Sequence, residues 1–156
     1  MIIYRKAVPE DIDVITEMRF EFFSELNYLF AEEEKNNALV NANKKFFTEG
    51  IANKSFLLYL AFYNENLVAT GGVSFYFLPP NKYNPEGRTA YVSNMYTCPE
   101  FRGKGIASEI FSRLISEAKE AGVRKVFLNA TDSGRPIYEK FGFKDTKNDM
   151  VYYIEK

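Results

Sequence analysis

The sequence predicts a mixed α/β fold, and three observations carry that prediction. Stretches crowded with aromatic and aliphatic residues, such as Ser55 to Tyr63 and Thr89 to Thr97, read as strands. Other segments repeat apolar residues at three- and four-residue steps, the period of one helical face. Asn, Gly and Pro residues punctuate the two kinds in alternation. With 156 residues, 46% of them hydrophobic and 26% charged, the chain can build a full core and is expected to fold as one domain spanning 1–156.

Taken in order, Ile2 to Ala7 reads as a first strand closed by Pro9. Pro9-Glu10-Asp11 opens a helix, with proline at its start and two acids at the positive end of its dipole. Ile12, Ile15, Met18, Phe22, Leu26 and Leu29 continue it along one face. Glu32-Glu33-Glu34 interrupts, and a second helix is expected over Lys35 to Glu49 with Gly50 as its stop. Ser55 to Tyr63 and Leu67 to Phe77 make a hairpin about Asn64-Glu65-Asn66. Gly71-Gly72 in its second arm predicts a bulge or a close backbone approach. Pro79 to Gly87 is a loop, Thr89 to Thr97 a strand, and Cys98 to Phe101 a connection. From Gly105 the helical period returns in Ile106, Ile110, Phe111, Leu114, Ile115 and Ala118, ending at Gly122. Lys125 to Ala130 is a further strand, and a short helix runs from Ser133 to Lys140 and stops at Gly142. Phe143 to Asp145 and Met150 to Glu155 are expected to supply a last hairpin.

Composition narrows the chemistry. The chain has no histidine, which removes Ser-His-Asp and Cys-His nucleophile systems, His-ligated zinc and imidazole acid–base steps, and no metal site is expected. Protons must be moved by Glu, Asp, Tyr, Lys, the single cysteine or water. A net charge of −1 gives no general attraction to nucleic acid or anionic lipid, so neither is expected as a partner. No apolar run is long enough to span a bilayer and no secretory pattern opens the chain. One cysteine, Cys98, excludes an internal disulfide and reads as a small apolar filler. A cytoplasmic location is the resulting expectation.

The most informative segment is the strand ending at Thr97, followed by Arg102-Gly103-Lys104-Gly105-Ile106-Ala107 at the opening of a helix. Two glycines and a small alanine let backbone approach a ligand, and the first helical turn offers unpaired N–H donors. Those donors and the helix dipole favour a phosphate or pyrophosphate, to which Arg102 and Lys104 add charge. A tight strand-to-helix turn with solvated Arg and Lys would also account for these residues. The loop is neither a Walker loop, since Ile-Ala follows Gly105, nor a dinucleotide fingerprint, which would need a third glycine at Ser108.

These residues resemble the Gln/Arg-x-x-Gly-x-Gly/Ala acetyl-CoA motif of the GNAT N-acetyltransferases. Met95-Tyr96-Thr97-Cys98-Pro99 leads into the loop as that family's fourth strand does. Downstream, Pro136-Ile137-Tyr138-Glu139-Lys140-Phe141-Gly142-Phe143 is similar to its Leu-Tyr-Glu-Lys-x-Gly-Phe box. The resemblance implies the GNAT fold, a mostly antiparallel sheet with helices on both faces whose fourth strand splays from the fifth at a bulge, and an enzyme using acetyl-CoA. It implies that the amides of Arg102 to Ala107 hold the CoA pyrophosphate and that Met95, Tyr96 and Thr97 offer main-chain contacts to pantetheine. An N–H near Met95 or Tyr96 would polarise the thioester carbonyl, a donor of a kind worth roughly 3 kcal/mol of transition-state stabilisation. Tyr138 matches the tyrosine that protonates the departing thiolate, although a packing aromatic would also suit a short helix there.

The implied acceptor is a primary amine of a small molecule or peptide, and a homodimer is left open. Many relatives place a carboxylate on the fourth strand as base, but Ala90 to Thr97 has none. Glu21 and Glu25 acting through water, or Tyr76, are the candidates for proton uptake and acceptor contact. Glu21, Glu25 and the run Glu32–Glu34 would suit a cationic acceptor, and Tyr76, Phe77 and Tyr83 could wall its site. Thr131 stands where relatives often carry Asn, so Thr131 or Ser133 is expected at the cofactor, with Arg135 reaching a CoA phosphate. Capping by Ser133 would explain the same stretch structurally. A non-catalytic acyl-CoA sensor of the same fold is the alternative, because the missing carboxylate would suit a binder.

Overall fold

A computed structural model describes residues 1–154. Its sheet runs in sequence order: β1 (Ile2–Lys6), β2 (Phe56–Tyr63), β3 (Asn66–Phe77), β4 (Arg88–Thr97) and β5 (Lys125–Leu128). The first four strands pair antiparallel, while β5 lies parallel to β4. A parallel neighbour requires a crossover, and α3 (Ile106–Glu120) supplies it. With α4 (Arg135–Lys140), α3 covers one face of the sheet; α1 (Ile12–Glu25) and α2 (Glu33–Asn53) cover the other. The mixed, mostly antiparallel architecture with helices on both faces is therefore present.

Each face has its own core, as strand alternation dictates. Ile110, Phe111 and Leu114 of α3 pack on Ala69, Val73, Ala90 and Val92, while Ile15 and Phe47 pack on Phe56, Leu58 and Leu60. The β2–β3 turn has positive φ at both Asn64 (47°) and Glu65 (65°), the geometry that matches strand twist in a two-residue hairpin loop.

Several expected boundaries move. α2 runs through Gly50 to Asn53, because Gly50 is a packing position: a Cβ there would lie 2.6 Å from Phe56 Cβ. The stop is Lys54 instead, at φ 60°. α1 ends at Glu25, with Leu26 as its C-cap and Asn27 turning the chain at φ 55°. β5 stops at Leu128. α4 begins at Arg135 behind Gly134, so Ser133 is not its N-cap and Pro136 is its second residue, where no helix bond is lost.

The last hairpin is not formed: no strand follows β5 among the described residues, and Glu155 lies outside them. Lys144 to Asp149 is an unbroken polar run with no apolar face to lay on the core, and Met150 to Ile154 stay exposed. Among the described residues no helix is long and apolar enough to cross a membrane, and no three metal-ligating side chains cluster.

Candidate active site

The site begins with an irregularity in β4. Its register with β3 runs Gly72↔Ser93 and then Thr70↔Tyr96, so Gly71 alone faces both Asn94 and Met95. The extra residue is thus on β4, with Asn94 at φ 57°, and Gly71 of β3 serves it by absence of bulk. A Cβ on Gly71 would fall 2.6 Å from Met95 Sδ and 2.5 Å from Ile110 Cγ2. Thr70 Oγ1 donates to the Asn94 carbonyl at 2.9 Å and fixes the bulge. On the other edge, β4 pairs with β5 only from Thr89 to Val92, and beyond Val92 the strands part. The β5-facing edge of Ser93 to Thr97 is left open, and Thr97 Oγ1 is buried without a partner among the described residues.

The gap leads to the start of α3. Its apolar stripe of Ile106, Ile110, Phe111, Leu114 and Ala118 is buried, which anchors its first turn against the sheet. Gly103 and Gly105 adopt φ 72° and 80°, and neither would bring a Cβ within 4 Å of another atom. These glycines serve backbone conformation and open access, not packing. The first helical bond runs from Glu109 N to Gly105 O, so the amides of Ile106, Ala107 and Ser108 point out unpaired by the helix. Arg102 is spoken for: Nε donates to Thr97 O at 2.8 Å, and Nη2 bridges both Glu25 oxygens at 2.9 and 2.7 Å. Its side-chain charge is therefore matched by Glu25, and its own N–H, expected among the pyrophosphate donors, is spent on Pro99 O at 3.2 Å, so the loop offers amides only from Gly103 onward.

Across the gap stands α4. Thr131 organises its start, with its carbonyl accepting from Gly134 and Arg135 N–H and its Oγ1 accepting from Gly134 at 3.2 Å. Tyr138 is buried against Phe111, ring centroids 5.0 Å apart, and its hydroxyl makes no hydrogen bond among the described residues. Burial pushes its pKa above the ordinary phenol value of 10.0. A side chain at 134 would sit 3.1 Å from the Tyr138 hydroxyl, so glycine there keeps the phenol accessible.

Bulge, loop and α4 enclose one cleft of about 530 Å³. Of the residues expected at the cofactor, Met95, Tyr96, Thr97, Arg102, Gly103, Gly105, Ile106, Ala107, Thr131, Ser133 and Tyr138 line it. Lys104 does not, and its Nζ lies 5.0 Å from the Phe101 ring instead. Arg135 turns away to Asp145 at 2.9 Å. Phe101, Ser108, Ile137 and Lys140 also line the cleft; their nearness to the motifs was the available signal. A second cavity, of about 490 Å³, is lined by Lys6, Phe56, Arg88 and Glu117, and contains none of the expected site residues.

The candidates for proton uptake separate. Glu25 is not a free base: Tyr96 donates to Oε1 at 2.7 Å and, with Arg102, holds its carboxyl below the usual range. Burial and Glu25 together push the Tyr96 phenol well up. Glu21 is exposed, and its charge acts on Tyr96 and Cys98, whose thiol burial already raises. Tyr76 lies opposite Thr89, about 20 Å along β4 from Met95 at the usual rise per residue. The structure does not bring Tyr76 to the bulge.

One residue was missed. Arg19 of α1 donates from Nε to Asn43 Oδ1 at 2.6 Å and from Nη1 to Asn94 Oδ1 at 2.8 Å. It also lies 4.5 Å from the Phe23 ring centroid. The signal was its place inside the apolar stripe, four residues after Ile15 and three before Phe22.

A family model described as acetyltransferase (GNAT) family matches residues 14–143. A predicted acetyltransferase from Clostridium acetobutylicum, solved with acetyl-CoA, is 33% identical, superposes with a TM-score of 0.90 and covers 98% of this chain and 96% of its own. A GCN5-related N-acetyltransferase from Ralstonia eutropha shares the fold at 22% identity, with a TM-score of 0.85 over 99% of both chains. Probable glucosamine 6-phosphate N-acetyltransferase 2 of Oryza sativa subsp. japonica is 34% identical over 68 residues, 44% of this chain and 41% of that protein. Human cysteine-rich protein 2-binding protein is 27% identical over 133 residues, 82% of this chain and 16% of that protein. The matches thus span less than half the length of these two curated relatives. On the family match and the near-complete superposition, the chain belongs to the acetyltransferase (GNAT) family.

Proposed function

We propose that this chain transfers the acetyl group of acetyl-CoA directly to a primary amine of a small molecule or peptide. The cleft between the parted β4 and β5 strands carries this reading, because it joins an open strand edge, a glycine loop of free amides and the accessible hydroxyl of a buried tyrosine. The residues fit the cofactor: Thr97 Oγ1 is a buried atom awaiting a partner, and Gly103 and Gly105 leave room beside the α3 amides. Pantetheine would lie along Met95 to Thr97, and the pyrophosphate on the amides from Gly103 to Ser108. Acetyl-CoA supplies the acyl group as a thioester, whose C–S bond is exchanged for an amide C–N bond.

The chain's own groups do the rest. The Met95 N–H, aimed by the bulge, is the donor to the thioester carbonyl oxygen. Tyr138 holds a proton at its hydroxyl for the departing sulfur. Glu21, free of hydrogen bonds among the described residues, takes the amine proton through water, while Glu25 braces the loop through Arg102. A sensor that binds acyl-CoA without turnover is the second reading, favoured by the absence of any carboxylate on β4.

Thermal unfolding with and without acetyl-CoA, with AMP as control, tests the site. Ligand at 100 times its dissociation constant adds about 2.7 kcal/mol, a rise of roughly 5–10 °C for a domain of this size. No rise at saturating acetyl-CoA would reject the proposal. A rise without CoA thiol release from any amine would move the chain to the sensor reading.

A further inference from the structure

Arg19 carries a charge that the fold leaves unneutralised beside the β4 bulge. Arg5, Arg102, Arg113 and Arg135 meet carboxylates at 2.6, 2.7, 2.8 and 2.9 Å. Arg19 is half-buried and makes no ion pair among the described residues; its acceptors there are the neutral amides of Asn43 and Asn94. Burial pushes its pKa down with no carboxylate opposing the shift. A guanidinium has five N–H donors, and those two bonds use two of them. The Nη2 protons find no acceptor among the described residues. Nor is Nη2 sealed in, for the buried side-chain atoms without partners among the described residues are Asn84 Oδ1, Arg88 Nε and Thr97 Oγ1.

Position gives that free fork its meaning. Ala90 and Val92 point to the α3 core, so Tyr91 and Ser93 point to the α1–α2 face, where Arg19 lies. Arg19 grips Asn94, the bulge residue, immediately before Met95. An amine reaching Met95 from that face would carry its substituents past Arg19. We propose that Arg19 binds an anionic oxygen group of the acceptor, a carboxylate or a phosphate. The acceptor class is then an amino acid or an amine bearing a phosphate ester, not a polycation. A planar fork with free donors pairs with such oxygens in two parallel bonds, and a partly desolvated site strengthens them. The inference rests on the acetyl-transfer reading and departs from the expectation of a cationic acceptor, since Arg102 already neutralises Glu25.

Two measurements decide it. The first follows CoA thiol release for matched amines, glycine against glycinamide and glucosamine 6-phosphate against glucosamine, with kcat/KM expressed per free amine. One anionic member should exceed its neutral partner by about 10–100-fold, mainly through KM, as a charged hydrogen-bonded contact predicts. The pair that responds tells carboxylate from phosphate. Arg19→Gln should collapse that ratio towards one, and Arg19→Lys should keep part of it; a bracing role alone would slow both members alike. Equal rates within both pairs, or an unchanged ratio in Arg19→Gln, would overturn the proposal. The second measures unfolding of the acetyl-CoA-saturated protein in low-millimolar phosphate or acetate, with ionic strength matched by chloride. Stabilisation that Arg19→Gln loses supports the anion site even if no amine turns over, and absence of stabilisation in that case overturns it. Failure of acetyl-CoA itself to raise the melting temperature would instead count against the acetyl-transfer reading.

Discussion

A phenol is a weak acid for neutral pH, and the surroundings of Tyr138 make it weaker still. Burial raises its pKa, so the proton stays on the hydroxyl through neutral pH and leaves only above the ordinary value of 10.0. An acid catalyst is active below its pKa, so in the role proposed for Tyr138 this shift extends the working range upward. Tyr138→Phe keeps the ring against Phe111 and removes only the hydroxyl. Turnover should fall by about 100-fold while the acetyl-CoA-induced melting shift persists; unchanged kcat would remove Tyr138 from the chemistry. Tyr138 was legible in the sequence because its box is local. Arg19 was not, although a charge between Ile15 and Phe22 on an apolar stripe is the kind of mismatch that marks a buried polar role. Glu25 looked like an available base because sequence cannot show that Tyr96 and Arg102, 71 and 77 residues later, converge on it.

Elements bring their own trade-offs, and α2 shows one in Gly50. Alanine in a helix interior is favoured over glycine by up to about 1 kcal/mol. At this position the new Cβ would meet Phe56 Cβ at 2.6 Å, and that atom is fixed to the strand backbone and cannot swing aside. Overpacking of this kind costs about 1–3 kcal/mol, so the clash wins. Gly50→Ala should lower the urea midpoint without changing the m-value; an unchanged midpoint would mean that α2 slides to accept the methyl. The same residue explains why the expected end of α2 fell short, since a glycine demanded by a neighbour across the core looks like a helix stop in one dimension. The bulge was half legible for a similar reason. Gly71 and Gly72 marked its level in the sheet and the resemblance put a bulge on the fourth strand, but the residue patterns did not single out Asn94 as the extra residue.

For the whole molecule, acid is the informative stress. Asp11 accepts from Arg5 at 2.6 and 2.7 Å and from the Val8 N–H at 2.9 Å, and the Arg5 bonds hold its carboxyl below 3.8. A carboxylate with a depressed folded pKa contributes stability that is complete above its unfolded value and is lost as pH falls through the folded one. Glu25 acts in the same direction. The melting temperature should therefore hold down to the ordinary carboxylate range and drop below it. Asp11→Asn should be less stable at neutral pH by about 2 kcal/mol and show a shallower acid decline. An identical decline would place the acid sensitivity elsewhere. The β4 bulge has a broader implication for descent. If the catalytic donor is a main-chain N–H, drift in the side chain at 95 need not erase it. The acceptor contacts proposed for α1 lie across the sheet from the α3–α4 cleft, so on that reading a lineage built on this plan can exchange one amine for another while its donor half stays unchanged.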